Sequence, residues 1–182
     1  MNHQRPLNKI HNYQIIEGDD DGLISYVFMS SNGAYYSVYF NVKENDQFTE
    51  NYPNLFSNGY GLGIFRVTKP VNKIRKDIIL FPTIEAILHD FISRAGKDVV
   101  LLFHCESSDG RQAARDKLFT YWFQNSEKKD GFIRDRFEAV VQETDIKHFM
   151  GYITSINNPN IKSVQLEFDA CAFNLMQDKI SQ

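Results

Sequence analysis

Hydrophobic and polar positions change period several times along the chain, and each change marks an element. Val99-Val100-Leu101-Leu102-Phe103 is an unbroken apolar run, the pattern of a strand covered on both faces. At a sheet edge such a run would invite aggregation, so an interior strand is expected. Upstream, Ile84, Ile87, Leu88, Phe91, Ile92 and Ala95 recur at helical spacing, from a start at Pro82 or Thr83 to a stop at Gly96. Downstream, Glu106-Ser107-Ser108-Asp109-Gly110 breaks the run and a helical segment continues to Phe123. There Asp109 is the expected N-cap, Gln112 follows three residues on, and Ala114, Leu118 and Tyr121 or Trp122 are expected to face inward.

The N-terminal part alternates with period two instead. Tyr13 to Glu17, Leu23 to Met29 and Ala34 to Lys43 read as strands, the last two joined through Asn32-Gly33, a strong hairpin signal. In the third strand Tyr36, Val38, Phe40 and Val42 are expected to line the core, with Tyr35 and Tyr39 opposite in core or edge packing. Glu44 to Gly59 is rich in Asn, Asp, Ser and Pro and reads as a long loop, with a strand-like Ile64 to Thr68 after it. Towards the C-terminus, Phe137 to Glu143 and Phe149 to Ile156 read as two strands with a turn near Thr144-Asp145. Asn158-Pro159-Asn160 then starts a helix whose stripe is Ile161, Val164, Phe168, Ala172 and Leu175. This order predicts a single α+β domain over residues 1–182 in two layers. A mixed or mostly antiparallel sheet, made of an N-terminal meander (about 13–69) and a buried central strand, carries about three helices; the helix-strand-helix-strands-helix part covers about 82–178.

Composition narrows the partners more than the fold. With 42% hydrophobic and 24% charged residues over 182 positions, the chain is long enough for one sizeable core. The formal net charge of -3 gives no general attraction to nucleic acid or anionic membrane. Arg66, Lys69, Lys73, Arg75 and Lys76 form one local basic cluster, more simply read as solvated. The N-terminus lacks an apolar leader region and no membrane-spanning run follows. Two cysteines, Cys105 and Cys171, are too few for a disulfide scaffold and sit in apolar surroundings, so a cytoplasmic protein is expected.

The candidate chemistry gathers at the turn after the central run. Arg111 and Arg115 lie one turn apart in the first turns of a helix, where the macrodipole disfavours cations, so an anion should offset them. The internal candidates are Asp109, Glu106, Asp116 or a carboxylate from elsewhere in the chain; the external one is a phosphate or carboxylate held by Ser108, Asp109, Gly110, Arg111 and Arg115. His104 and Cys105 are neighbours on a strand and point to opposite faces, so they form no dyad and Cys105 reads as an inert thiol. No His/Cys spacing suits a metal, and Gly59-Tyr60-Gly61-Leu62-Gly63 precedes a strand rather than the helix a dinucleotide loop requires.

Cys105-Glu106-Ser107-Ser108-Asp109-Gly110-Arg111, with Arg115, Leu118, Phe119, Trp122 and Phe123, resembles the signature of a family of uncharacterised bacterial proteins of similar length. The Thr83 to Phe91 helix and the Asn158-Pro159-Asn160 turn are also similar to it. The resemblance implies a shared fold and a shared candidate site, and no reaction. The turn also has some likeness to the pyrophosphate turn of acyl-CoA-dependent N-acetyltransferases, which carries glycines at the third and fifth positions after its Gln or Arg. Counted from Arg111 those positions hold Ala114 and Asp116, so no cofactor is expected. With no catalytic constellation, the expected function is a non-enzymatic interaction protein that binds another macromolecule, foremost another protein, for example in a toxin-neutralising or phage-conflict role. The alternative is a domain, transferase-like or purely binding, that holds a phosphate, nucleotide or acyl-CoA at the Asp109–Arg115 turn.

Overall fold

A computed structural model describes residues 10–18, 22–42, 46–72, 77–105, 107–126, 129–141 and 146–180. In chain order the strands are β1 (Tyr13–Glu17), β2 (Ile24–Met29), β3 (Tyr35–Val42), β4 (Gly59–Arg66), β5 (Val100–Cys105), β6 (Phe132–Val141) and β7 (Ile146–Ser155). The helices are α1 (Asp46–Asn51), α2 (Pro53–Phe56), α3 (Leu80–Ala95), α4 (Gln112–Gln124) and α5 (Ile161–Ile180). All seven strands form one mixed sheet in the order β1-β2-β3-β4-β5-β7-β6. Every neighbouring pair is antiparallel except β4 and β5. The α+β class and the interior position of the central run are as expected: β5 lies between β4 and β7.

Strand alternation builds two cores. Tyr26, Phe28, Val38, Phe40, Leu62, Leu101 and Phe103 point to one face, where Ile84, Ile87, Phe91 and Ile92 of α3 meet them. The Phe40 and Phe91 rings stack with centroids 3.7 Å apart, and Tyr60 meets Phe91 edge-on at 5.1 Å. Val100 and Tyr152 point the other way, onto Leu55 of α2 and Val164, Phe168 and Cys171 of α5. Among the described residues there are thus five α-helices rather than about three, and they cover both faces of the sheet, a third layer beyond the two expected.

The differences from expectation each have a local reason. The segment read as a loop folds into α1 and α2 because Phe48, Tyr52 and Phe56 cluster at helical spacing beside buried Leu55, a pattern its polar neighbours mask. β4 starts at Gly59, not Ile64, and its alternate glycines are places of close approach. A Cβ at Gly63 would run into the Tyr39 ring, and one at Gly59 would lie 2.8 Å from the Leu55 carbonyl oxygen. α3 begins at Leu80 because a proline in the first turn loses no helical hydrogen bond. β6 begins at Phe132, five residues before the expected start. Tyr35 is exposed, on a part of the sheet that no helix of either core covers. The Thr144-Asp145 turn, Glu106, Lys73, Arg75 and Lys76 lie outside the described residues, as does the side chain of Leu175. Among the described residues no helix is long and apolar enough to cross a membrane.

Phe91 is 2% exposed and wedged between Phe40 and Tyr60. Phe91→Ala is therefore expected to lower unfolding free energy by about 3–5 kcal/mol in urea titration; a loss below about 1 kcal/mol would mean that α3 does not anchor the meander.

Candidate functional site

β4 and β5 are bonded only over Gly59–Gly61 and Val100–Leu102. Beyond those residues the strands part, and between them lies a cleft of about 680 Å³. Its lining comes from both faces of the sheet. Tyr39, Gly61, Gly63, Leu102 and His104 belong to the α5 side, and Leu62, Ile64, Phe103 and Cys105 to the α3/α4 side. Arg115 and Phe119 of α4 and Phe168 and Cys171 of α5 close it laterally. From Leu62 to Arg66 the β5-facing edge of β4 has no strand partner among the described residues.

The predicted site residues follow directly on the β5 end of this cleft. Ser108, Asp109, Gly110 and Arg111 are all exposed, and Gly110 takes φ +68°, a left-handed turn suited to glycine. That turn displaces Asp109 from the N-cap position, which Arg111 occupies without a side-chain cap. The Asp109 carboxylate accepts the Arg111 backbone N–H at 3.1 Å and receives both guanidinium ends of Arg115 at 2.7 and 2.6 Å. The Arg115 guanidinium holds the Asp109 carboxyl down at about 2. The Arg111 side chain has no hydrogen-bond partner among the described residues. The turn therefore brings one arginine to a carboxylate and leaves the other exposed.

α4 has a different phase from the one its apolar residues suggest. Ala114, Leu118 and Tyr121 are exposed, while Asp116 is buried and Phe119, Trp122 and Phe123 are half-buried. Trp122 stacks on Phe81 at 5.2 Å and meets Phe119 at 5.9 Å. Asp116 sits inward because β6 supplies cations for it: Arg136 donates to it at 2.8 Å, and the buried Arg134 lies 3.6 Å away over the Phe103 ring. Burial pulls the Arg134 guanidinium below its ordinary range. Burial, then the Asp116 charge, pushes the Cys105 thiol up to about 11, so it is protonated at neutral pH. His104 lies within 3.3 Å of His148, on the opposite face of β5 from Cys105. Among the described residues no three of His, Cys, Asp or Glu converge as metal ligands would.

Sequence reasoning did not find the contribution of β3 and β4 to this region. The available signals were the alternate glycines, of which Gly63 faces Tyr39, and the basic residues that follow them, of which Arg66 and Lys69 are described and exposed.

A family model matches residues 74–170, a little over half of the chain. The chain belongs to a family of unknown function, DUF6169. The matched stretch contains α3, the turn after β5, α4 and the Asn158-Pro159-Asn160 turn, and it begins after the meander. No curated protein and no solved structure matches the chain.

Asp116→Ala would leave Arg134 buried without its carboxylate, and is expected to cost about 3–5 kcal/mol in denaturant unfolding. Arg115→Ala, at an exposed pair, is expected to leave stability nearly unchanged. The reverse ranking would show that the Asp109–Arg115 pair, not the buried cluster, holds α4 in place.

Proposed function

We propose that the cleft between β4 and β5 binds an elongated small molecule that carries amides and an anionic end, of the acyl-CoA class. The observation that carries this reading is the opened parallel seam: a cleft of about 680 Å³ bordered by a strand edge with no strand partner among the described residues. Backbone N–H and C=O groups within a fold need partners, and an extended ligand with its own amides supplies them in the manner of an added strand. The apolar walls from Leu62, Phe103 and Phe119 suit its aliphatic part.

Electrostatics supports placing the anionic end where both strands finish. Arg66 ends β4, Lys69 follows it and Arg111 follows β5, all exposed. Arg111, whose side chain has no hydrogen-bond partner among the described residues, is the residue assigned to the anion, and Arg115 shapes the turn by holding Asp109. The missing glycines at Ala114 and Asp116 argue against a glycine-rich phosphate loop at this turn, so side-chain cations take that role. The reading is one of binding: Cys105 is protonated and faces away from His104, which leaves no nucleophile–base pair between them. It ranks above the interaction role expected from the sequence because the cleft has defined walls, with Arg115 among its lining residues.

Thermal unfolding and isothermal titration with CoA, acetyl-CoA, ATP and inorganic phosphate test it. CoA well above its dissociation constant is expected to raise the unfolding midpoint by about 4 °C or more. Arg111→Ala should weaken that binding by roughly tenfold or more without altering ligand-free stability. No response to either CoA or acetyl-CoA would refute the reading, and an equal response to phosphate alone would reduce it to a simple anion site.

A further inference from the structure

We propose that His104, His148 and Met150 form a binding site for a soft monovalent ion of the Cu(I) class on the α5 side of the sheet. The strand register brings them together. Met150 stands directly opposite His104 across the β5–β7 ladder, and His148 lies two residues before it on the same strand. Residues opposite each other share a face, and so do residues two apart, so all three side chains leave the sheet on one side. The His104 Nε2 and His148 Nδ1 atoms are 3.3 Å apart, and the ring planes differ by 15°. That is long for a hydrogen bond. Two imidazole nitrogens bound to one ion at ~2.0–2.1 Å, at tetrahedral to trigonal angles, stand about 3.3–3.6 Å apart. The pair already has the spacing of two ligands of a single ion.

The third donor selects the ion. Among the described residues no carboxylate or thiol joins the two histidines as a third ligand; the side chain opposite His104 is a thioether. A thioether is soft and polarisable and, beside imidazole, suits Cu(I). Structural Zn²⁺ instead takes thiolate, carboxylate or further imidazole. Access is built in as well. The β4–β5 pairing ends at Leu102, so no strand among the described residues covers the β4 flank of His104, which is exposed. His104 and Met150 both line the cleft, through which an ion can reach them. On the other flank the β6 residues opposite His148 and Met150 are Ala139 and Phe137, which bring no competing donor. Cys105 lies on the opposite face of β5 and takes no part. Cys171 of α5 also lines the cleft, and burial raises its thiol above the usual range, so it enters the test as the rival ligand. The inference rests on the β5–β7 register and holds whatever else the cleft binds.

Anaerobic titration of the full chain with Cu(I) against a bicinchoninate competitor tests it, without CoA, whose thiol would itself take the ion. The wild type is expected to take up a single equivalent. Met150→Leu conserves volume and His104→Gln changes an exposed position, so circular dichroism and the unfolding midpoint should be preserved. Each should weaken Cu(I) binding at least about tenfold, whereas Cys171→Ser should leave it unchanged. With Ag(I) as a redox-inert probe, the Met150 methyl resonance is expected to move most among those of the four methionines. No uptake by the wild type, or uptake lost on Cys171→Ser, would overturn the proposal. So would an affinity that Met150→Leu leaves unchanged, because the thioether would then be no ligand.

Discussion

Two strands leave the same end of the sheet side by side, bonded only over Gly59–Gly61 and Val100–Leu102, and most of the structure follows from that constraint. A parallel pair cannot be joined by a hairpin; it needs a crossover, and α3 is that crossover. Its packing on the meander fixes which face of β1–β4 is buried, through Phe91 against Phe40 and Tyr60. Because both strands run the same way, their connections to α3 and α4 emerge together at the end where they have parted. The residues after β4 and the turn from Ser107 to Arg111 are thereby brought to one region without any sequence proximity.

The α4 side of the seam is built on charge as well as on apolar packing. Asp116 points inward to Arg134 and Arg136 of β6, and Arg134 lies over Phe103, a lining residue of the cleft. A buried guanidinium stacked on an aromatic ring keeps its position only while its carboxylate remains, which ties α4 to the second half of the sheet. The Asp109–Arg115 pair acts at the surface instead: two near-parallel hydrogen bonds fix the shape of the turn and leave Arg111 outside it.

What was legible in the sequence was what rests on apolar burial with a regular period. The Val99–Phe103 run, the Asn32-Gly33 hairpin, the α3 stripe and the C-terminal helix all fall in this group. α4 was mis-phased because its inward row is centred on a carboxylate, and the charge that makes Asp116 at home there comes from β6, far away in sequence. The start of β4 was hidden by glycines, which weaken a strand signal in isolation and make sense only once Tyr39 and Leu55 are seen against them. The turn that holds Ser108 to Arg115 was legible as a place, through its arginines and its break from the apolar run. The cleft beside it was not, since the parting of two strands leaves no mark in local periodicity.

The seam can be examined directly by amide hydrogen exchange along β4. The account predicts that in the free protein the amides of Gly59–Gly61 and of β5 are protected, while those of Leu62–Arg66 that do not bond to β3 exchange at least about tenfold faster, and that CoA slows the latter group selectively. Uniform protection along the whole of β4 without ligand, or a CoA effect confined to other elements, would contradict an open seam that serves as the binding site.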